Sequence, residues 1–408
     1  MSTAAVLFTR DLRVHDHPAL SEALAGADAV AGLFVLDDTI LAGAFAAPNR
    51  VAFMLDCLRD LRASLERRGS ALAIRRGDVV EEAIAFARHC RADRLLVSAD
   101  VSAYARRREV RLAQACDEAG VGLSVVPGVT VVDPGELAPT GGDHYRVFTP
   151  YWRRWRAAGW RPMHRAPRRL AMPSRLRLGR LPALQELVDR RPAPRLPRGG
   201  ETAARARAQR WIGSGLAGYG DQLAADATSR LSPYLHFGCI SPLELARRAG
   251  DRPGAEEFVR QLCWRDFFHQ LLAANPGLPY HDLRPRGTAW NRDDQVLAAW
   301  KEGTTGVPIV DAGMRQLLRE GWMPNRARLV AASFLVHDLG VDWRLGARHF
   351  FEHLVDGDLA NNAGNWQWVA GTAANPRPNR VLSPAAQARR FDPDGAYVRR
   401  HVPELTRS

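Results

Sequence analysis

Thirteen residues, Asp356-Gly357-Asp358-Leu359-Ala360-Asn361-Asn362-Ala363-Gly364-Asn365-Trp366-Gln367-Trp368, hold two carboxylates, a run of side-chain amides and two indoles, with almost no aliphatic content. An ordinary core helix carries a Leu/Ile/Val stripe at 3.6-residue spacing, and this segment has none. Its groups suit a large planar cofactor: amides and carboxylates to hydrogen-bond a ring, Trp to stack and to carry an electron. Buried carboxylates need partners, so an Arg from elsewhere is expected to face the segment.

A second unusual surface lies in residues 258–272. Val259, Leu262, Cys263, Phe267 and Leu271 repeat on one helical face, while Gln261, Trp264, Arg265 and Phe268 share another. A Trp beside an Arg and an amide on the non-core face predicts a cavity wall. Eight of the eleven Trp lie beyond residue 210, so the aromatic chemistry is concentrated in the second half.

The elements that must position these groups fall into two kinds. Ala4–Phe8, Ala29–Val35, Ala71–Ile74, Arg94–Val97 and Leu123–Val126 read as strands, with helical patterns near 17–25, 49–68, 78–91 and 104–119 between them. That alternation predicts an open, mostly parallel five-stranded, Rossmann-like α/β domain over residues 1–130. No Gly-x-Gly-x-x-Gly follows the first strand, which removes support for a dinucleotide dehydrogenase. Residues 211–408 read as an all-α domain.

Between them, residues 131–210 read as a Pro/Arg-rich connector draped over the surface. Residues 151–210 alone carry 17 Arg against Glu186, Asp189 and Glu201, a surplus of +14. The chain's net charge is +13, so the remainder sums to −1. Charge therefore points to nucleic acid only through this segment. The five Cys are scattered, without Cys-x-x-Cys spacing, which argues against a disulfide framework and a thiolate metal site; no metal is expected. No window suits a membrane span, and the N-terminus lacks a secretory pattern, so a cytoplasmic monomer is the expectation.

Together these residues resemble the DNA photolyase/cryptochrome family, along almost the whole chain. The similarity rests on Thr9-Arg10-Asp11-Leu12-Arg13-Val14-His15-Asp16, Tyr145-Arg146-Val147-Phe148-Thr149-Pro150-Tyr151, Thr228-Ser229-Arg230-Leu231-Ser232-Pro233, Trp264-Arg265-Asp266-Phe267, Gly321-Trp322-Met323, Asn325-Arg326 and the 356–368 segment. The last is the most specific.

The resemblance implies a helical domain holding FAD, active when reduced, in a folded form. Thr228, Ser229, Arg230, Leu231 and Ser232 match the phosphate-binding stretch, where hydroxyls, backbone N–H groups and an Arg satisfy phosphate oxygens. Tyr219 matches an adenine-side Tyr, although the segment from Tyr219 to Thr228 is short and lacks an Arg. Arg328 and Asp356 match an ion pair beside the isoalloxazine, Asp358 a carboxylate at its pyrimidine edge, and Asn362 the residue facing N5. Trp322, Asn325 and Gly357 complete the expected cofactor contacts. Asn362 favours repair over signalling, because signalling members commonly carry Asp or Cys there. Trp366, Trp343 and Trp290 match an electron-transfer triad; each alone would read as core packing, and their agreement with the other motifs makes them wiring.

The implied partner is UV-damaged DNA and the implied substrate a cyclobutane pyrimidine dimer. Trp264 and Trp368 match aromatic walls against the dimer; Gln261, Arg265, Asn325, Arg326 and Gln387 match contacts to the lesion and its phosphates. Gln261 stands where cyclobutane-type enzymes carry Glu. The (6-4) enzymes have Gln there but also two His, and the matching positions are Asn325 and Leu329, which argues against (6-4) chemistry. The 371–375 loop also departs from the family pattern. An antenna pigment between the domains is implied, deazaflavin or methenyltetrahydrofolate, with Pro48-Asn49-Arg50 nearer the deazaflavin type. The competing class is a blue-light receptor without repair activity; such receptors often add a long tail, and this sequence stops just past Val402-Pro403-Glu404-Leu405.

Overall fold

The computed structural model describes residues 2–174, 176–220, 223, 227–373 and 381–406. Five strands, β1 (Thr3–Leu7), β2 (Ala29–Asp37), β3 (Leu72–Gly77), β4 (Arg94–Ser98) and β5 (Gly122–Val126), form one parallel sheet in the order β3-β2-β1-β4-β5. Each expected strand is present. β1 and β2 are buried along their whole length, because helices cover both faces. The order reverses direction between β1 and β4, and loops leaving the carboxyl ends of those strands open a crevice there.

The rest is predominantly helical, as expected from the changed pattern after residue 211. The helix Ala255–Ala274 packs on Leu359–Ala370, which brings the two sequence segments singled out above face to face. One apolar cluster runs from the inner face of the sheet into this helical domain, through Phe53, Phe237, Leu243 and Phe267. A second, around Trp300, Trp343 and Trp366, belongs to the helical domain alone.

The connector is only partly a surface strap. Tyr151, Trp152 and Trp155 in the helix Phe148–Ala157 are buried, and the helix Glu201–Arg210 places Ala204 and Ala208 in the same cluster. Aromatic residues at three- and four-residue spacing account for the first helix, a signal the Pro and Arg content obscured. The intervening residues do lie along the sheet domain: Val30 N–H donates to Ala171 O at 2.9 Å and Ile74 N–H to Leu178 O at 2.7 Å.

Buried polar groups fix how the domains meet. Arg13 is 1% exposed, and its guanidinium donates to Gly238 O and Gly128 O, both at 3.0 Å. Gly238 has φ +65°, and a Cβ there would sit 1.9 Å from Arg10 O, so only glycine allows this approach. From the other side, Asp266 Oδ2 accepts from Val131 N (2.9 Å), Val132 N (3.2 Å) and Trp155 Nε1 (2.9 Å). All five cysteines are free and buried, as expected of small apolar residues.

Candidate functional site

Asp358 sits at the N-cap of Leu359–Ala370, where Oδ1 accepts from Asn361 N at 2.8 Å. Its other oxygen is paired with Arg10, which arrives from the loop after β1. Burial works to raise the Asp358 pKa, but His269, Arg10 and Arg265 around it hold the carboxyl well below its usual range. Burial pushes the His269 imidazole down to about 4, so at neutral pH Asp358 is charged and His269 is not. Two residues earlier, Asp356 Oδ2 accepts from Arg328 Nη2 at 2.7 Å. The partner required by a buried carboxylate is thus supplied twice. Arg328 was expected; Arg10 was legible only as part of the N-terminal motif.

These residues line a cavity of about 400 Å³. Tyr219, Thr228, Ser229, Arg230, Leu231 and Ser232 form one side. Trp322, Asn325, Arg326, Arg328, Asp356 and Asp358 form another; Gln261, Trp264, Arg265 and Trp368 complete the wall. A smaller recess of about 60 Å³ adjoins it through Asn325, Arg328 and Asp356, and is lined by Gly357, Asn362 and Trp366. The structure therefore gathers nearly every cofactor and substrate residue expected from the sequence.

Local geometry explains several of them. Arg230 has φ +51° and lies over the Trp322 ring at 4.5 Å, while its Nη1 donates to Glu320 at 2.9 Å. Trp322 Nε1 donates to Ser232 Oγ at 3.0 Å. Asn362 Nδ2 donates to Ala347 O at 2.9 Å, which uses one of its two N–H groups and fixes the amide's orientation, leaving its oxygen as an acceptor. A Cβ on Gly357 would lie 2.6 Å from Arg50 Nη1, so a side chain there would displace the Arg50 guanidinium.

Trp264 is half-buried and stacks on Phe148 with centroids 3.6 Å apart and planes within 5°. One face of the indole is thereby fixed by the interdomain motif. Trp368 is also half-buried at the cavity, and Gln261 is exposed at its edge. Neither Trp is sealed in ordinary packing.

Two expected contacts carry further bonds, and part of an expected loop lies outside the described residues. Arg265 touches the cavity but is 8% exposed, and its Nη1 donates to Val129 O at 2.7 Å. That bond anchors the domains, and the side chain lines the cavity as well. Gln387 is outside the cavity lining and accepts from Arg326 Nη1 at 3.2 Å. Of the 371–375 loop, residues 374 and 375 lie outside the described residues.

Of the proposed wire, Trp366 is 2% exposed at the recess and Trp343 is fully buried, its Nε1 donating to Asp282 at 2.9 Å. Trp290 lies at the rim of a surface hollow beside Val341, Asp342 and Leu345, residues flanking Trp343. All three pack in or against the second apolar cluster. Sequence reasoning passed over Phe258 and His236, which also line the main cavity, as do Asn361 and Asn365 of the amide-rich segment. His236 and Phe258 carry no local signal, since only the fold brings them there.

A second cavity of about 440 Å³ opens at the carboxyl ends of β1 and β2, bounded by Phe8, Arg10, Leu36, Asp37, Asp100, Ser102 and Tyr104 on the sheet side. Arg50 lines it, but Pro48 and Asn49 do not; Asn49 is spent on interdomain bonds to His353 O and Ala193 N. His236 borders both cavities.

The residues fit a bound FAD. Among the described residues, Thr228 Oγ1 and Asp356 Oδ1 are buried polar atoms at the main cavity with no hydrogen-bond partner, and a donor-rich ligand would satisfy both.

Residues 4–170 match the family model for DNA photolyase, and residues 258–408 match the model for the FAD binding domain of DNA photolyase. A deoxyribodipyrimidine photo-lyase of Streptomyces griseus is 52% identical over 99% of this chain and 90% of its own length. The structure of a bacterial class III photolyase from Agrobacterium tumefaciens superposes with a TM-score of 0.91 at 31% identity, covering 100% of this chain and 87% of that one. An archaeal photolyase from Sulfolobus tokodaii, solved with two FAD molecules, gives 0.86 at 30% identity, covering 99% and 91%. No helix among the described residues is long and apolar enough to cross a membrane.

Proposed function

The chain belongs to the DNA photolyase family, and from that membership we propose that it is a deoxyribodipyrimidine photo-lyase acting on cyclobutane pyrimidine dimers in DNA. The observation that carries this reading is one cavity with two kinds of wall: ion-paired carboxylates and a hydroxyl-rich turn on one side, Trp264 and Trp368 on the other.

The chemistry a bound, reduced FAD supplies is a photoexcited electron, lent to the dimer to split its cyclobutane ring and then regained. The chain's own residues hold and orient. Ser229, Arg230 and Ser232 offer hydroxyls and a fixed charge to phosphate oxygens. Arg328 pairs with Asp356 and Arg10 with Asp358, so two carboxylates would meet the ring's polar edge, and Asn362 would present a neutral acceptor that adds no charge.

Trp264 and Trp368 are apolar walls for a dimer taken out of the duplex. Photolyases are among the enzymes known to extrude their target, at a cost of about a few kcal/mol that is least for a poorly paired lesion. Gln261 can donate to and accept from a pyrimidine edge but cannot give up a proton, so it acts in binding rather than acid–base work. Leu329 lines the cavity where a (6-4) enzyme would need His. The second cavity suits an antenna pigment with a flat apolar body, at the switch point of the sheet.

The test is dimer reversal on UV-irradiated DNA, with reduced protein under blue light and a dark control. Light-dependent loss of cyclobutane dimers, with (6-4) lesions untouched, is expected. Bound FAD with no reversal would make the chain a blue-light receptor instead.

A further inference from the structure

The last turn of the helix Trp343–His353 carries His349, Glu352 and His353, a spacing that puts all three on one side of the helix. One ligand-capable atom from each lies within 4.8 Å of the others. None of the three lines the cavities described above. We infer that this His-x-x-Glu-His turn binds one divalent transition-metal ion of the zinc type, through two imidazoles and a carboxylate.

His349 is 6% exposed, and its Nε2 is buried without a hydrogen-bond partner. Such a group is costly unless something outside the protein satisfies it. Its ring is 4.3 Å from that of His353, centroid to centroid. His353 Nδ1 donates to His349 O at 3.0 Å, which fixes the proton on Nδ1 and leaves Nε2 as the ligand atom. Backbone-oriented imidazoles of this kind are what metal sites use. Glu352 Oε1 accepts from the exposed Arg348 at 2.9 Å, and Oε2 remains for an ion.

The surroundings select the class of ion. Lys301 faces His349, and Arg190 and Arg50 face His353. One carboxylate among three cations cannot hold Ca²⁺ or Mg²⁺, which need several oxygen ligands. Two imidazoles and one carboxylate are the donor set of zinc-type ions, with water in the open position. The bound ion would brace the turn whose carbonyls dock on the sheet domain: Asn49 Nδ2 donates to His353 O at 2.5 Å, and Arg50 Nη1 to Leu354 O at 3.0 Å. Asp356 follows two residues later.

The experiment uses the FAD-loaded protein, stripped with chelator and titrated with Zn²⁺ alone by calorimetry, and with Co²⁺ alone by its visible ligand-field bands. One equivalent should bind each protein. Glu352→Gln and His353→Gln, both at half-buried positions, should each weaken binding at least ten-fold while flavin absorbance is unchanged. His89→Gln, far from the turn, should bind like the parent. Absence of stoichiometric binding, or equal binding by parent and both variants, would overturn the assignment.

Discussion

Asp358 is held by two elements distant in sequence, Arg10 on one oxygen and the start of its own helix on the other. A charge so placed tolerates removal of its partner poorly. Arg10→Met should destabilise the fold by about 3–5 kcal/mol, because buried Asp358 loses its directly bonded cation and keeps only the more distant charge of Arg265. Urea unfolding and FAD retention both read this, and Asp358→Asn in the same background should restore part of the loss. Stability unchanged in Arg10→Met would remove Arg10 from the site. Trp366 makes the opposite case, since it lines the recess without holding any charge. Trp366→Phe should slow photoreduction of bound FAD by an order of magnitude yet spare repair when FAD is reduced beforehand. Flash absorption and dimer assays separate the two, and equal loss of both would rule out the wire.

The helix Ala255–Ala274 shows how one element serves both packing and chemistry. Leu262, Cys263, Phe267 and Leu271 are buried, as their helical spacing predicts. Gln261, Trp264, Arg265 and Phe268 line the cavity, and Arg265 and Asp266 also bond the segment after β5. Asp266 is buried and raised to about 7 by desolvation, against the pull of Arg265 and its N–H donors. A carboxyl raised in the folded state stabilises while protonated, and that stability declines as pH rises from about 4 towards 7. Asp266→Asn keeps an oxygen for the three donors and cannot ionise. Its urea midpoint should therefore gain on the parent's between pH 5 and pH 8; a constant difference would exclude a titrating Asp266.

Across the whole molecule, acid should weaken the sheet domain at Asp11 and its contact with the helical domain at Asp16. Burial works to raise Asp11, but His17, Ser98 and Thr9 hold it at about 2. Asp16 is likewise opposed by burial and held at about 2 by Arg161 and Ser241, residues of the connector and the helical domain. Lowered carboxylates stabilise above their unfolded pKa and lose that contribution as pH falls through the folded value. Each then carries about 2 kcal/mol at neutral pH, lost between about pH 4 and pH 2. Stability measured down that range should fall for the parent and fall less for Asp16→Asn.

Residue types and their spacing determined the two-part fold and two segments of the cavity wall, 258–272 and 356–368; the rest of the wall was legible only through the family resemblance. Parallel strands buried on both faces must read as apolar runs, and a cofactor-binding helix must replace its aliphatic stripe with amides, acids and indoles. Neither property depends on knowing what packs where. The partners of those groups did depend on it. Arg10 reaching Asp358, Phe148 lying flat behind Trp264, Arg265 bonded to Val129 and His236 beside Arg10 all join segments 116 to 348 residues apart. Contacts at such separations leave no periodicity in a sequence, because each side satisfies its local rule with or without the other. Only the folded chain, in which every buried charge must find its counter-charge at once, selects which pairs form.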